Sequence, residues 1–151
     1  ADLRARGSRL HVFTGPSIDI LRRIIAATQA QAVFWNRRYE PIVQARDTAV
    51  LKALREEGVQ VQTFNGSLLI EPWEVQTKTG GPYQVFTPFW RTVSAALRLP
   101  ALRDAPNRMP PPPATIDDVP LESLGLVPTL GWDAGFWAHW TPGEAGAREA
   151  V

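Results

Sequence analysis

The fold of this chain is decided by the stretch from Phe34 to Asp47, which reads Phe-Trp-Asn-Arg-Arg-Tyr-Glu-Pro-Ile-Val-Gln-Ala-Arg-Asp. The apolar run that ends at Trp35 predicts a buried strand, because it stops abruptly at polar residues. Pro41 fits the first turn of a helix, where its missing N–H is not needed. Residues 36–40 are therefore expected at the carboxyl end of a strand, where open parallel sheets bind ligands. Most such joins in an α/β domain nevertheless hold nothing.

The chain before this stretch predicts one further strand and one helix. Residues 10–14 are typical of a short strand, which Gly15-Pro16 ends. Ser17 is the predicted N-cap of a helix from Ile18 to about Gln29, since apolar residues recur there on one face.

The chain after this stretch repeats the pattern. The helix from Pro41 is expected to bury Val43, Val50 and Leu54 and to end at Gly58. The alternating residues 59–64 predict a third strand. Alternation of strands and helices implies right-handed crossovers. We therefore predict an α/β fold, with a Rossmann-like parallel sheet of three strands flanked by helices.

Composition limits the classes of protein that remain. The 151 residues include no cysteine, which excludes disulfides, thiolate zinc sites and cysteine nucleophiles. No apolar stretch is long enough to span a membrane, and a net charge of +1 gives no global attraction to nucleic acid. Residues 1–99 carry thirteen Lys/Arg against eight Asp/Glu, whereas residues 100–151 carry three against seven. This asymmetry indicates two regions with different roles.

The second half of the chain predicts a linker. A helix is expected over about residues 89–98, and the polyproline stretch 109–113 favours an extended, semi-rigid conformation. The change of charge and this stretch together separate a first region, up to about residue 99, from a second region.

No group of residues makes a catalytic or metal site by itself. His11 and His139 are the two histidines, far apart and without ligand neighbours, and His11 is best explained as a packed or edge residue of its strand. Neither the Walker A pattern nor the dinucleotide-binding glycine fingerprint is present. We therefore predict no catalytic residue and no metal ligand in this chain.

Three motifs carry a resemblance to a known family. They are residues 35–41 with 45–47, residues 80–90, and the closing Trp140-Thr141-Pro142-Gly143-Glu144-Ala145. The first two resemble the N-terminal α/β domain of the DNA photolyase and cryptochrome family. The third is similar to the motif that begins that family's helical flavin-binding domain. The resemblance runs in the family's order from about Leu3 to the last residue. It implies a finer division of the chain: a partial α/β domain over residues 1–99, an extended interdomain linker over 100–140, and the start of a further domain over 141–151.

The resemblance implies a parent enzyme, deoxyribodipyrimidine photolyase, a carbon–carbon lyase that uses light to repair DNA. An antenna pigment, deazaflavin or folate, passes excitation to reduced FAD, which donates an electron to a pyrimidine dimer flipped out of the duplex. The FAD-binding helical domain would be the partner of this chain, and damaged DNA would be bound through that domain only. A bacterial cytoplasmic location is implied, and the fragment alone is expected to be inactive.

The chain also departs from the family pattern. The family sheet has the strand order 3-2-1-4-5, and the first two strands are absent here. Either residues 10–14 pair directly with residues 32–35, or an exposed sheet edge remains.

The resemblance also implies site residues. Asn36, Arg38 and Glu40 form the candidate antenna site, with Arg38 where deazaflavin-type members have an acid. Ile42 and Val43 stand where the best-known folate-binding members have an Asn-Glu pair, which disfavours that mode. The surface that meets the flavin domain is expected to include Phe86, Phe89, Trp90, Trp137 and Trp140.

Two alternatives stay open. A cryptochrome-type blue-light photoreceptor would pass a conformational change to a partner instead of catalysing repair. A generic nucleotide-binding α/β domain would bind adenine nucleotides and no pigment.

Overall fold

A computed structural model describes residues 2–99, 101, 104–111, 116–127 and 129–151. The chain divides into two compact units. The first unit consists of Ala1–Leu10 and Thr14–Ile116, and the second of His11–Phe13 and Asp117–Val151.

The first unit contains the α/β part of the molecule. Its elements in chain order are α1 Asp2–Ala5, α2 Ser17–Thr28, β1 Ala32–Asn36, α3 Pro41–Glu56, β2 Gln60–Phe64, a 3-10 turn Pro72–Glu74 and α4 Phe86–Ala96. The fold is therefore α/β, as predicted.

The sheet contains two parallel strands in the described part of the chain, in a register from Ala32 opposite Gln60 to Asn36 opposite Phe64. The parallel arrangement confirms the prediction, but the prediction of three strands was wrong. Residues 10–14 form no strand and do not join this sheet. The carbonyl of Val12 instead accepts a hydrogen bond from the N–H of Val119, at 2.8 Å, within the second unit. Of the two arrangements expected, the exposed edge on β1 is the one observed.

One face of the sheet carries the core. Leu54 is completely buried, and Val50 and Val61 pack with it. Side chains of α2, including Leu21 and Ile25, pack against this cluster, so α2 and α3 cover the same face.

The other face of the sheet is open. Phe34 and Phe64 are 56% and 43% exposed, and their rings meet edge to face at 6.0 Å. Because side chains alternate along a strand, Phe34 points away from the face that buries Val33 and Trp35.

Helix boundaries follow the local chemistry closely. Pro41 occupies the first turn of α3, and Gly58 takes a left-handed φ of +81° just after its end, as predicted. Helix α2 begins one residue earlier than expected: Pro16 is its N-cap, Ser17 is helical, and the cap has no side-chain hydrogen bond. Helix α4 begins at Phe86, before the predicted start, because Pro88 is tolerated in the first turn of a helix.

The second unit consists of short turns. Its elements are the 3-10 turns Leu121–Leu124 and Phe136–Ala138 and the helix α5 Glu144–Glu149. His11 Nδ1 lies 3.0 Å from Asp118 Oδ2, and both side chains are largely shielded from solvent.

The predicted linker, residues 100–140, is irregular where it is described, apart from two 3-10 turns. Residues 109–111 of the polyproline stretch have no regular secondary structure, and residues 112–113 lie outside the described residues. No helix in the described ranges combines the length and apolar character needed to cross a bilayer.

Candidate functional site

A pocket of about 250 Å³ lies at the carboxyl ends of the two strands. Both parallel strands end at this edge, and α3 starts beside it because Pro41 begins a helix five residues after β1 ends. The pocket is lined by Trp35, Arg37, Arg38, Tyr39, Gln44, Asp47, Thr48, Leu51, Thr63 and Trp73. It therefore occupies the crevice that the sequence predicted.

Two tryptophan side chains provide apolar walls of this pocket. Trp35, on the helix-covered face of β1, packs against the core cluster. Trp73 comes from the 3-10 turn after β2 and is 54% exposed. The guanidinium carbon of Arg37 lies 5.5 Å from the centre of the Trp73 ring, within cation–π range. Such rings suit a planar conjugated ligand, because aromatic faces stack.

Two residues that line the pocket, Arg37 and Tyr39, share one hydrogen-bond acceptor. The carboxylate of Glu71 accepts hydrogen bonds from Arg37, at 2.5 and 3.0 Å, and from the hydroxyl of Tyr39, at 2.7 Å. Partial burial, and then the hydrogen bond to Glu71, raise the pKa of Tyr39 above its ordinary value. The same hydrogen bond thus ties the Tyr39 hydroxyl to Glu71.

Arg38 and Glu40 form an ion pair beside the pocket. Arg38 Nη2 is 2.5 Å from Glu40 Oε1, and the N–H of Tyr39 donates to Glu40 Oε2 at 3.1 Å. The hydrogen bonds from Arg38 lower the pKa of Glu40 to about 2. Arg38 lines the pocket, whereas Glu40 acts on it through Arg38.

Asn36 lies apart from these two residues. The side chain of Asn36 packs against Gly66, where a Cβ atom would come within 2.4 Å of the Asn36 amide. By strand alternation it shares the open face with Phe34, and it does not line the pocket. The three predicted antenna residues are thus close in sequence, but only Arg38 lines the pocket.

Sequence reasoning missed Glu71, Thr63 and Trp73. They lie at and beyond the end of β2, in a segment that the sequence identified only as irregular. The available signal was positional: residues that follow two neighbouring parallel strands meet at one edge, so a carboxylate after β2 was a natural partner for the arginines after β1.

Two clusters of exposed aromatic residues lie outside this pocket. On α4, the rings of Phe86 and Trp90 stack at 6.2 Å, and Phe89 contacts both Phe86 and Tyr83. All three predicted residues of α4 are exposed, by 71% for Phe86, 36% for Phe89 and 50% for Trp90.

In the second unit, Trp137 and Trp140 are 58% and 71% exposed. Trp132 and Phe136, which the sequence did not single out for a role, meet edge to face at 5.9 Å. No group of three or more His, Asp or Glu side chains in the described ranges is arranged to hold a metal ion.

Comparisons with known proteins agree on one family. The family profile described as DNA photolyase matches residues 1–113. The chain is 41% identical over 152 residues to a deoxyribodipyrimidine photo-lyase of Agrobacterium fabrum, a match that covers 100% of this chain and 32% of the relative. It is 33% identical over 128 residues to cryptochrome-2 of Arabidopsis thaliana, covering 82% of this chain and 21% of the relative.

The same similarity extends to three dimensions. The crystal structure of a bacterial class III photolyase from Agrobacterium tumefaciens superposes with a TM-score of 0.88 at 41% identity, over 98% of this chain and 31% of that one. The chain thus spans about a third of the length of these photolyases.

Proposed function

This chain belongs to the DNA photolyase family, and from that premise we propose that it is the pigment-binding α/β part of a light-driven DNA repair enzyme. The observation that carries the proposal is the aromatic pocket at the carboxyl ends of β1 and β2. In this proposal the pocket holds an antenna pigment, while FAD is bound by the helical domain that residues 141–151 begin. The FAD supplies the electron that splits the dimer.

The residues of the pocket fit the ring of such a pigment. A volume of about 250 Å³ is slightly below the usual range for ligand pockets, so it suits one fused ring system with the tail outside. Trp35 and Trp73 offer ring faces, and Asp47 and Gln44 offer hydrogen-bonding groups for the edge of a heterocycle. Arg38 would meet an anionic tail, and Glu40 would orient Arg38. A contact between Asn36 and the pigment remains a prediction, because Asn36 does not line the pocket.

Pigment titration tests this site. A reduced folate and a deazaflavin are each added to the purified chain, and binding is followed by pigment absorption and tryptophan fluorescence. We expect Trp73→Ala to weaken binding roughly 5-fold, since an aromatic contact is worth about 1 kcal/mol. Trp132→Ala, an exposed tryptophan of the second unit, is the matched control and should bind as the unchanged chain does. Binding of adenine nucleotides with no pigment binding would instead favour the generic nucleotide-binding alternative.

Repair activity is tested on the complete reading frame. The expressed protein is examined for flavin absorption and then illuminated with dimer-containing DNA. Flavin absorption with light-dependent loss of dimers is the expected result. Flavin absorption without repair would favour the cryptochrome-type photoreceptor, which the similarity to cryptochrome-2 keeps as the second candidate. We also propose a bacterial cytoplasmic location, which fractionation of cells would test.

We further propose that residues 100–140 connect the domain of residues 1–99 to the helical domain from residue 141 onward. The described part of this segment lacks strands and buries no residue, which supports its role as a linker. Limited proteolysis should cleave first between residues 110 and 131, because the described residues of that range form no strand and bury no side chain, and such backbone is cut before packed backbone. Protease resistance throughout that range would contradict the proposal.

The exposed aromatic residues are proposed to meet the helical domain. Phe86, Phe89 and Trp90 would contribute one contact and Trp137 and Trp140 another, because exposed apolar clusters mark interaction sites. In the isolated chain, an apolar fluorescent dye should bind, and Trp90→Ser and Trp140→Ser should each lower its fluorescence. Leu69→Ser, an exposed residue outside both clusters, is the control. Absence of dye binding at high protein concentration would contradict the proposed contact with the helical domain.

A further inference from the structure

Glu71 is the one charged residue that the described part of the chain buries, with 5% of its surface exposed. It lies directly before the 3-10 turn that carries Trp73. A carboxylate is strongly destabilised away from water unless hydrogen bonds and a counter-charge compensate. Its burial next to Arg37 and Tyr39, which line the pocket, therefore calls for a specific arrangement of partners.

Both oxygens of Glu71 have partners from the loop after β1. Oε1 accepts hydrogen bonds from Arg37 Nε at 3.0 Å and Nη2 at 2.5 Å, and Oε2 accepts one from the Tyr39 hydroxyl at 2.7 Å. Arg37 Nη1 also donates to the carbonyl and hydroxyl oxygens of Thr63, at 2.8 and 3.1 Å. Glu71 thus joins the loop after β1 to the segment after β2.

These contacts define what Arg37 can do. Four of the five guanidinium N–H groups are already used, two on Glu71 and two on Thr63. Arg37 therefore connects Glu71 to Thr63 and is not arranged to bind an anionic ligand. Arg38, in contrast, projects to solvent with 61% of its side chain exposed. The guanidinium carbon of Arg37 lies 5.5 Å from the centre of the Trp73 ring, so the guanidinium group that Glu71 and Thr63 hold also contacts that ring.

We propose that Glu71 is the positioning residue of the pocket, since it holds Arg37 and Tyr39, and through Arg37 the Trp73 ring, in the arrangement that receives a planar pigment. The part of this inference that concerns the pigment rests on the proposed function. The part that concerns the arrangement of side chains is measured without any ligand.

The ligand-free test uses the tyrosine absorbance near 295 nm. Tyr39 and Tyr83 are the two tyrosines of the chain, so in a Tyr83→Phe background the signal reports Tyr39 alone. Its midpoint should lie above that of the same chain unfolded in urea, with far-UV circular dichroism recorded at each pH to establish that the chain is folded. Adding Glu71→Gln should lower the midpoint, because it removes the carboxylate charge that disfavours ionisation of the neighbouring Tyr39 hydroxyl. An unchanged midpoint overturns the proposal.

The ligand test uses a reduced folate and a deazaflavin as probes. Glu71→Gln should weaken binding roughly 10-fold or more, by loss of hydrogen bonds to a charged group, while far-UV circular dichroism is retained. Glu74→Gln, an exposed glutamate of the same turn, is the matched control and should leave affinity unchanged. Equal affinity of Glu71→Gln and the unchanged chain overturns the proposal.

The two failures are distinguishable. If no version of the chain binds either pigment, the proposed function fails at this site, and the Tyr39 titration alone decides whether Glu71 holds the arrangement. If Glu71→Gln does not fold, Tyr39→Phe removes a single hydrogen bond and leaves the Arg37 pair intact. That variant should weaken pigment binding roughly 2- to 10-fold, and unchanged binding overturns the proposal.

Discussion

The α/β region from Ser17 to Phe64 and the segment from Asp117 to Val151 use apolar residues in opposite ways. The first contains Leu54, Val50 and Val61, which are buried in one cluster. The described residues of the second include three tryptophans, yet none of its residues is buried. Its backbone hydrogen bonds within 121–151 are local, as in turns and a single short helix.

The difference teaches that apolar content alone does not make a core. Apolar residues at a helical or strand period place their side chains on one face, and two such faces can then cover each other. The tryptophans of the second region lie in or near a 3-10 turn of three residues, which is too short to present a continuous apolar face. Their burial requires another surface, which agrees with the proposed contact to a helical domain.

The largest expected effect comes from truncating the centre of the core. Leu54→Ala should lower the free energy of unfolding by about 3 kcal/mol, because it removes buried contacts and leaves a cavity. The same substitution at Leu130, which is 88% exposed, should change it by less than about 0.5 kcal/mol. Urea unfolding followed by circular dichroism measures both. Similar effects at the two positions would remove the distinction between the regions.

An intermediate effect is expected at Gly66. Gly66→Ala should destabilise the first unit by about 1–3 kcal/mol, since the new methyl would overlap the Asn36 side chain. Gly135→Ala is the control in the second region: its φ of −71° suits any residue and nothing lies within 4 Å of the new Cβ. Thermal unfolding of the two variants makes the comparison. Partial recovery in the double variant Asn36→Ala with Gly66→Ala would assign the overlap to that side chain.

The smallest effect is expected from exposed ion pairs, and it should depend on pH. Because the pKa of Glu40 is lowered to about 2, its pair with Arg38 contributes stability above the unfolded pKa, near 4.3, and loses it as the pH falls through about 2. Glu40→Gln should therefore differ from the unchanged chain at pH 7 and converge with it below pH 2.

Glu144→Gln removes the matched exposed pair of α5, in which Glu144 lies 2.6 Å from Arg148. It provides the comparison in the second region, with urea midpoints recorded at several pH values. A constant difference between Glu40→Gln and the unchanged chain from pH 7 to pH 2 would contradict the assignment at Glu40.

Local sequence signals predicted most of the elements that surround the pocket. Pro41 and Gly58 predict the two ends of α3 to within two residues. Pro41 lacks a backbone N–H donor, which the first turn does not need, and Gly58 tolerates a positive φ. The same reasoning failed for residues 10–14. A strand exists only when a neighbour accepts its hydrogen bonds, and the residues themselves do not say whether that neighbour is β1 or another segment.

The sequence by itself determined the parallel strand pair, the two helices that cover one of its faces, the position of the crevice and the family of the chain. Tertiary structure alone decided which side chains enter that crevice. Asn36 faces Gly66 and not the pocket, and Glu71 meets Arg37 and Tyr39 more than thirty residues away. The physical reason is the distance along the chain over which each kind of interaction acts. Caps and periodicity act over one or two turns of chain, whereas a buried carboxylate finds its partners only after the register of β1 and β2 has brought the two strand ends together.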